Sequence, residues 1–323
     1  MKIIFMGTPL FASIAFDSLC EGFGKCDAKE KINQKCEILR VVTQADKPVG
    51  RKGIITPPPM KQKALEQGIE VLQPDRLDTA FAKILRDLEP DFIVVVAYGK
   101  ILPKEILEIA PCVNLHASIL PKYRGASPIQ QMILSDDSEY GVSIMRMEEG
   151  LDSGGILSIK KIPRNDENYV DLSARLARNG GVELARVLID FRNITPILQD
   201  EREASYCQKL RKNDGEVRFI DAQKIYKKSL AFMPWPSVFL PNGIKLFGIK
   251  VVEKMSCEKY DILGKNGAKK AGEILSISPV IVACENGAVE IDELQAPSKN
   301  KMRASDFLKT RAINIGDNLL EII

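Results

Sequence analysis

The stretch that most constrains the fold is DFIVVVAYG (91–99), whose centre is uniformly apolar and rich in β-branched residues. The run is far shorter than the roughly 20 apolar residues that a membrane-spanning helix needs. It is typical of a central strand of a parallel sheet, because such a strand is covered by helices on both faces. The run therefore predicts an α/β domain and no membrane span.

Short apolar stretches alternate with helical patterns around this run. Pro9 precedes the stretch 10–20, and proline is favoured in the first turn of a helix. Residues 79–89 carry apolar side chains at helical spacing, which predicts a helix with one buried face. A longer helix is predicted at 170–191, with an interruption near Gly180-Gly181. The earlier strands are predicted at KIIFMG (2–7), ILRVVT (38–43) and IEVLQ (69–73). This alternation predicts a Rossmann-like domain with a mostly parallel sheet.

The first turn, Gly7-Thr8-Pro9, disfavours one large class of Rossmann proteins. Dinucleotide-binding members carry G-x-G-x-x-G at this place, because the later glycines let the backbone approach a pyrophosphate and the helix pack closely. Those later glycines are absent here. An oxidoreductase that uses NAD or FAD is therefore disfavoured.

The only histidine of the chain lies in CVNLHASILPKYRG (112–125), at the end of another apolar run. If this run is a strand, Asn114 and His116 project from one face, about 7 Å apart. Pro121 removes a backbone donor and ends the segment. Ligands of open parallel sheets bind beyond the carboxyl ends of the strands. We interpret the amide and the imidazole as functional, against the alternative of a satisfied structural histidine.

Asp152 lies among glycines in GLDSGG (150–155), between two predicted strands at 139–147 and 155–163. Glycines permit a tight turn and a close approach of the backbone to a ligand. Aspartate and glycine are also common in ordinary turns, so a structural role is the alternative. A second predicted loop, residues 44–59, combines Gly and Pro with the basic residues Lys47, Arg51 and Lys52. We expect it to be mobile, as either a solvated linker or a basic arm that folds onto a phosphate backbone.

A chain of 323 residues exceeds the size at which one core keeps growing, so two domains are expected. We predict a Rossmann-like domain at 1–194, a linker at 195–206 where polar residues and a proline occur, and a second domain at 207–323. Short β patterns recur in the second domain between Gly, Asn and Pro turns, which predicts an OB-like β-barrel.

Charge separates the two halves of the chain. Residues 205–323 hold 19 Lys and Arg against 14 Asp and Glu, while the whole chain has a net charge of only +3. A basic domain suggests an anionic partner, plausibly nucleic acid, although a solvated lysine surface gives the same composition. Seven scattered cysteines without a C-x-x-C pair favour neither disulfides nor zinc, so we expect a cytoplasmic protein without a metal.

Several motifs together resemble the methionyl-tRNA formyltransferase family over nearly the whole chain. Asn-x-His-x-Ser-x-Leu-Pro followed by Gly-x-Asp-x-Gly marks folate-dependent formyl transfer, and the basic loop and basic C-terminal domain point to tRNA. The matching segments are MGTPLFA (6–12), TQADKPVGRK (43–52), VVVAYGKILP (94–103), NLHASILPKYRGASPIQ (114–130), GVSIMRMEEGLDSGGIL (141–157) and AFMPWPS (231–237). SILP in place of SLLP, TQAD in place of TQPD and a longer segment 21–35 depart from the family pattern.

The resemblance implies 10-formyltetrahydrofolate as formyl donor and the α-amino group of initiator methionyl-tRNA as acceptor. It assigns catalysis to Asn114, His116 and Asp152. It assigns folate contacts to Ser118, Ile119, Leu120, Pro121, Ile101 and Leu102, and contact with the tRNA to Arg51 in the basic loop with Lys47 and Lys52. A monomer without an obligate protein partner is expected.

These residue types suit direct attack of the amine on the formyl carbon. Asn114 can donate N–H to the oxygen of a tetrahedral intermediate, and His116 can be a second donor or move a proton. Asp152 can orient the imidazole or accept a proton. Two alternatives stay open: the same chemistry on another amine, such as a nucleotide sugar or glycinamide ribonucleotide, and a nucleic-acid-binding protein whose α/β domain is inert.

Overall fold

The computed structural model describes residues 1–24, 36–50, 52–135, 137–252 and 270–322. The chain folds into two compact units. The first contains Met1–Met132, Asp137–Asn165 and Asp171–Gln208, and the second contains Ile133–Asp136, Asp166–Val170 and Lys209–Ile323. None of the described helices is long and apolar enough to cross a membrane.

A seven-stranded sheet forms the centre of the first unit. Its strands are β1 (Lys2–Gly7), β2 (Glu37–Val42), β5 (Val71–Leu72), β6 (Phe92–Val96), β7 (Cys112–His116), β9 (Glu139–Arg146) and β10 (Ile156–Pro163). They lie in the order β5-β2-β1-β6-β7-β9-β10. The first five of these are parallel, and β9 and β10 extend the sheet as an antiparallel hairpin. This architecture confirms the predicted α/β domain with a mostly parallel sheet.

The apolar runs occupy the middle of this sheet, as their composition predicts. Residues 3–6 of β1 are completely buried, and every residue of β6 is buried. Strand order reverses on the two sides of β1, with β2 on one side and β6 on the other, which is the place where open α/β sheets bind ligands. Gly7 pairs with Val96, and Val96 pairs with Leu115, so the carboxyl ends of these strands lie level.

The helices connect and cover these strands. They are α1 (Leu10–Gly24), α2 (Pro59–Glu66), α3 (Thr79–Asp87), α4 (Lys104–Leu107), α5 (Pro128–Leu134) and α6 (Tyr169–Asp190), followed by a short 3-10 helix at Phe191–Asn193. Asp78 caps α3, because its side chain accepts the backbone N–H of Phe81 at 3.0 Å. Pro90 follows this helix and cannot continue it.

Helix α6 is continuous, whereas the sequence predicted an interruption at Gly180-Gly181. The two glycines serve close packing instead of a break. A Cβ on Gly181 would lie 2.3 Å from the carbonyl oxygen of Ala15 in α1, and a Cβ on Gly180 would lie 2.6 Å from the side chain of Leu115 in β7. The helix can therefore approach the sheet and α1 only without side chains at these positions.

Two segments predicted to lack regular structure are ordered differently. Within the predicted loop 44–59, β3 (Lys47–Val49) and β4 (Ile54–Thr56) form an antiparallel hairpin. The predicted linker 195–206 lies in the first compact unit, where Tyr206 begins β11 (Tyr206–Cys207), which pairs with β8 (Arg124–Gly125). Its polar side chains are hydrogen-bonded to that unit, as described below.

Among its described residues, the second unit contains an antiparallel sheet and two helices, preceded by a short 3-10 helix at Lys212–Gly215. The elements are α7 (Ala222–Ala231), β12 (Val238–Phe239), β13 (Lys245–Val251), β14 (Ile274–Ile277), β15 (Val280–Ala283), β16 (Ala288–Gln295), β17 (Met302–Arg303) and α8 (Ala304–Lys309). The strand order is β12-β13-β16-β15-β14, with β17 paired to β16. Phe219, Phe307 and Leu319 anchor the apolar core. The short β-strands predicted for this part of the chain are confirmed, and they form an antiparallel sheet.

Candidate active site

His116 ends strand β7 and places an imidazole at the carboxyl edge of the sheet. Asn114 shares its face, because side chains alternate along a strand, while Leu115 points to the opposite face and packs against Gly180. Both polar side chains are buried, with 8% of Asn114 and 6% of His116 exposed. The structure therefore holds the predicted amide and imidazole side by side on one surface.

Asp152 comes to the same place from the turn between β9 and β10. Its Oδ2 lies 3.6 Å from Nδ1 of His116, and the backbone N–H of Gly125 donates to the same oxygen at 2.8 Å. Only 17% of the Asp152 side chain is exposed. A carboxylate and an imidazole thus face each other in a largely dry site, at a distance longer than a hydrogen bond.

The backbone fixes which imidazole nitrogen faces the carboxylate. Nε2 of His116 lies 2.9 Å from the carbonyl oxygen of Tyr123. A carbonyl can only accept, so Nε2 carries the hydrogen and the lone pair of the neutral ring lies on Nδ1. The nitrogen that can take up a proton is therefore the one that faces Asp152.

The amide of Asn114 is held in place by the sheet and not by other side chains. Its backbone lies between Val95 of β6 and Met145 of β9. Across the described ranges of the chain, no protein group is hydrogen-bonded to its side chain. Its two N–H donors are available to a ligand at the carboxyl edge of the sheet.

The segment Ser118–Pro121 is attached firmly to β9. Ser143 accepts the N–H of Leu120 at 2.9 Å and donates to the Ser118 carbonyl at 2.8 Å. Ser118 is completely buried and donates to the carbonyl of Lys122 at 2.7 Å. Ile119 packs where a side chain on Gly141 would otherwise lie. Ser118 and Leu120 are therefore interior residues, while Ile119 and Pro121 are half-buried.

Ile101 and Leu102 follow β6 and have opposite environments. Ile101 is 83% exposed, whereas Leu102 is buried in an apolar cluster with Tyr98. The hydroxyl of Tyr98 is the one buried side-chain polar atom without a hydrogen-bond partner in the part of the chain that the structure describes. Burial raises the pKa of Tyr98 to about 12, so this hydroxyl stays protonated.

Lys47 and Lys52 of the hairpin β3–β4 lie on its surface. Lys47 donates to Oε1 of Gln44 at 2.6 Å, and Gln44 in turn donates to the carbonyl of Tyr98 at 2.9 Å. Lys52 is exposed near the tip. Arg51 lies outside the described residues. The hairpin is therefore tied at its base to the carboxyl edge of β6.

The residues that sequence reasoning missed lie at 197–207, which we call the strap. At one end, Ile197 and Ile156 of β10 exchange two backbone hydrogen bonds of 2.8 Å. At the other end, β11 pairs with β8. The strap therefore joins the strand that follows Asp152 to the segment that follows His116. Its polar composition resembles a linker, and no local pattern reveals partners that lie far away in the sequence.

Two strap residues hold the segment 121–124 directly. Ser205 donates its N–H to the Pro121 carbonyl at 3.3 Å, accepts the N–H of Tyr123 on its hydroxyl at 2.9 Å and accepts the N–H of Arg124 on its carbonyl at 2.8 Å. The Cys207 thiol lies 3.2 Å from the carbonyl oxygen of Arg124. Burial raises the pKa of this thiol, so it is a donor and not a nucleophile.

Within the described ranges, no cluster of His, Cys, Asp and Glu side chains could hold a metal ion. The arrangement instead offers a neutral N–H donor, an imidazole and a carboxylate at one sheet edge. This set can bind a developing oxyanion and move a proton, as acyl transfer requires.

Comparison with known proteins agrees with this chemistry. Residues 11–188 match the family described as Formyl transferase, and residues 209–312 match Formyl transferase, C-terminal domain. The methionyl-tRNA formyltransferase of Helicobacter pylori strain J99 is 46% identical, with 98% of this chain and 99% of that protein covered. The methionyl-tRNA formyltransferase of a Nitratiruptor species is 43% identical with the same coverage.

The fold also resembles a solved structure. HypX from Aquifex aeolicus, in complex with tetrahydrofolic acid, superposes with a TM-score of 0.61 at 15% identity. The match covers 98% of this chain and 48% of that larger one. With both domain matches and full-length relatives above 40% identity, the chain belongs to the methionyl-tRNA formyltransferase family.

Proposed function

We propose that the protein transfers a formyl group from 10-formyltetrahydrofolate to the α-amino group of methionine on initiator methionyl-tRNA. The observation that carries this proposal is the approach of Asp152 to His116, beside an Asn114 amide that has no partner among the described residues. Relatives that match this chain over nearly their whole length are methionyl-tRNA formyltransferases. The chemistry of the site agrees with the function of these relatives.

The residues present fit a folate donor. Asn114 offers N–H groups without a protein partner at the edge where open α/β sheets bind ligands. The exposed side chain of Ile101 and the half-buried side chains of Ile119 and Pro121 border the loops at this edge. We assign folate binding to these loops together with Ser118, Leu120 and Leu102. These three residues are buried, so they act by fixing the backbone of the loops. The bound donor supplies the formyl carbon.

Asn114 stabilises the negative charge that develops on the formyl oxygen as the amine attacks. An amide donates hydrogen bonds without titrating, and loss of one such donor typically costs about 3–4 kcal/mol of transition-state stabilisation. The fixed strand geometry of β7 means that this donor needs no reorganisation during the reaction.

His116 and Asp152 act on the proton that the amine must lose. Because Nε2 donates to Tyr123, the free nitrogen Nδ1 and the carboxylate face each other and can hold one proton between them. That proton leaves the attacking amine and is delivered to the nitrogen of the departing folate, so protons balance over the reaction. The amine itself is the nucleophile, and no covalent enzyme intermediate is needed.

Lys47, Arg51 and Lys52 belong to the tRNA contact in this proposal, as does the basic C-terminal domain at 207–323. Residues 1–194 are the catalytic domain, and 195–206, which connect the two in sequence, pack on the first unit. Lys47 and Lys52 are exposed, and lysine and arginine side chains can neutralise phosphates without reading sequence. We also propose that the protein acts in the cytoplasm, as a monomer.

The direct test is incubation of the purified protein with 10-formyltetrahydrofolate and charged initiator tRNA, followed by detection of formylmethionine after mild hydrolysis. Parallel reactions contain elongator methionyl-tRNA, an amino-sugar nucleotide or glycinamide ribonucleotide. Formylation of initiator methionyl-tRNA alone supports the proposal. Preferential formylation of a small amine would reject tRNA as the acceptor but support formyl transfer as the reaction. Absence of transfer to every amine would reject both the acceptor and the reaction.

A further inference from the structure

We propose that Gln199 is a positioning residue for Asp152, and that buried Arg124 sets the orientation of its amide. The inference rests on the proposed function, because it concerns the carboxylate assigned to proton transfer. It adds a residue of the strap to a set that otherwise lies wholly in β7 and the β9–β10 turn.

The loop that carries Asp152 needs support from outside itself. Asp152 has a φ of +52°, in the left-handed region that non-glycine residues seldom occupy. Nε2 of Gln199 donates to the carbonyl of Asp152 at 2.9 Å and to the carbonyl of Gly154 at 2.8 Å. One amide group therefore uses both of its hydrogens to hold the loop on each side of Ser153.

Arg124 determines which way this amide points. The guanidinium is 1% exposed and donates from Nε to Oε1 of Gln199 at 3.0 Å. Since a guanidinium only donates, Gln199 must present its oxygen to Arg124 and its nitrogen to the Asp152 loop. The remaining donors of Arg124 reach both carboxylate oxygens of Glu201, at 2.8 and 3.0 Å, and the Tyr206 hydroxyl at 3.0 Å.

Arg124 also lies on the backbone segment that contacts both His116 and Asp152. The preceding carbonyl, of Tyr123, holds Nε2 of His116, and the following N–H, of Gly125, donates to Oδ2 of Asp152. The hydrogen bonds that link Arg124, Gln199 and Asp152 therefore form a closed network that includes His116. Displacement of the Gln199 amide would change the Asp152 to His116 distance without touching either side chain.

The test variant is Gln199→Glu, which keeps the size of the side chain and an oxygen for Arg124 but removes both donors to the loop. We expect kcat to fall by about 10-fold to 100-fold, with KM for tRNA and for folate within about 2-fold, because small misplacements of a catalytic group cost rate and not binding. Asn179→Asp is the matched control, since it also replaces an amide that donates to a backbone carbonyl, that of Arg175 at 2.9 Å within α6.

A double variant separates positioning from general destabilisation. If Gln199 acts through Asp152, Gln199→Glu lowers the residual kcat of Asp152→Ala by less than about 2-fold, because the group that it positions is gone. An effect of full size in the Asp152→Ala background would overturn the proposal. An unchanged kcat of Gln199→Glu in the wild-type background would overturn it as well.

NMR provides a readout that does not depend on activity. The chain has one histidine, so untagged protein labelled with nitrogen-15 in histidine reports His116 alone. We expect Gln199→Glu to shift the Nδ1 resonance of His116, and Asn179→Asp to leave it unchanged. Identical spectra for wild type and Gln199→Glu would reject positioning. Wild-type protein that shows this coupling without any formyl transfer would instead reject the proposed function.

Discussion

Oδ2 of Asp152 lies 3.6 Å from Nδ1 of His116, on the side of the ring opposite the Tyr123 carbonyl that accepts from Nε2. His116 ends strand β7 and Asp152 lies in the turn between β9 and β10, and the two are held by different neighbours. Their separation is too long for a resting hydrogen bond, and an approach of about 0.5 Å would bring them within the distance at which a proton can pass. The pair is therefore poised for proton uptake, which gives the first prediction.

Removal of the carboxylate charge should stop proton transfer while keeping the fold. Asp152→Asn retains an oxygen that can accept the N–H of Gly125 but loses the negative charge that faces His116. We expect kcat to fall at least about 100-fold, as for His116→Ala, because general acid-base catalysis typically contributes that much. Single-turnover formylation measures the step. Asp200→Asn, in the exposed pair with Arg202, is the control.

Asn114→Ala should lower kcat by at least about 100-fold, since one oxyanion donor is lost. The KM of both substrates should change little if the hydrogen bond strengthens only as negative charge develops. Steady-state kinetics with each substrate varied in turn will show this. Asn193→Ala removes an amide that bonds Asp190 at the surface and should have no effect. A large increase in KM with kcat unchanged would assign Asn114 to binding alone.

Arg51→Ala and Lys52→Ala should weaken use of tRNA without affecting the folate. Each phosphate contact that is lost should reduce the slope of log affinity against log salt by about 1. Measurements of tRNA binding at several salt concentrations, together with KM values for both substrates, distinguish this from a general defect. Lys161→Ala, in an exposed pair with Glu139, is the matched control. Equal salt slopes for wild type and variants would leave these residues as solvated side chains.

Cys112 should make the first unit less stable in alkali. Burial raises the pKa of this thiol to about 12, whereas an exposed thiol titrates near 8.5. The unfolded chain therefore loses the proton first, so the stabilisation is complete below about pH 8.5 and is lost as the pH rises toward 12. The thermal midpoint of Cys112→Ala should fall less between about pH 8 and pH 10.5 than that of wild type. Val113→Ala creates a neighbouring cavity without removing a titrating group, so its thermal midpoint should change with pH as that of wild type does.

Gly181→Ala should destabilise the protein although alanine is the better helix former. An added Cβ would lie 2.3 Å from the Ala15 carbonyl oxygen, and overpacking of this kind typically costs about 1–3 kcal/mol. The free energy of unfolding in urea will measure the loss. Gly24→Ala is the control, because nothing lies within 4 Å of the added carbon. Equal stability of both variants would mean that α6 can move away from α1.

Local patterns predicted the elements, and nearly all of the partnerships between distant segments escaped them. The uninterrupted apolar run of β6 predicted a central strand, and period-2 alternation placed Asn114 beside His116. The approach of Asp152 came from the family resemblance, because no periodicity connects residues 36 positions apart. Gln199 and Arg124 escaped notice for the same reason: their hydrogen bond crosses 75 positions. Gly180 and Gly181 suggested a break because an absent side chain reveals nothing about what packs in its place.

The packing contact between α6 and β7 limits which substitutions the protein can accept during evolution. Leu115 packs against Gly180, so there is no free space on the helix-facing side of the strand that bears Asn114 and His116. A bulkier residue at either position can be accommodated only by pushing the strand forward, toward the reacting groups. Inherited variation at Gly180 should therefore appear as slow turnover, from a residue that substrate never meets.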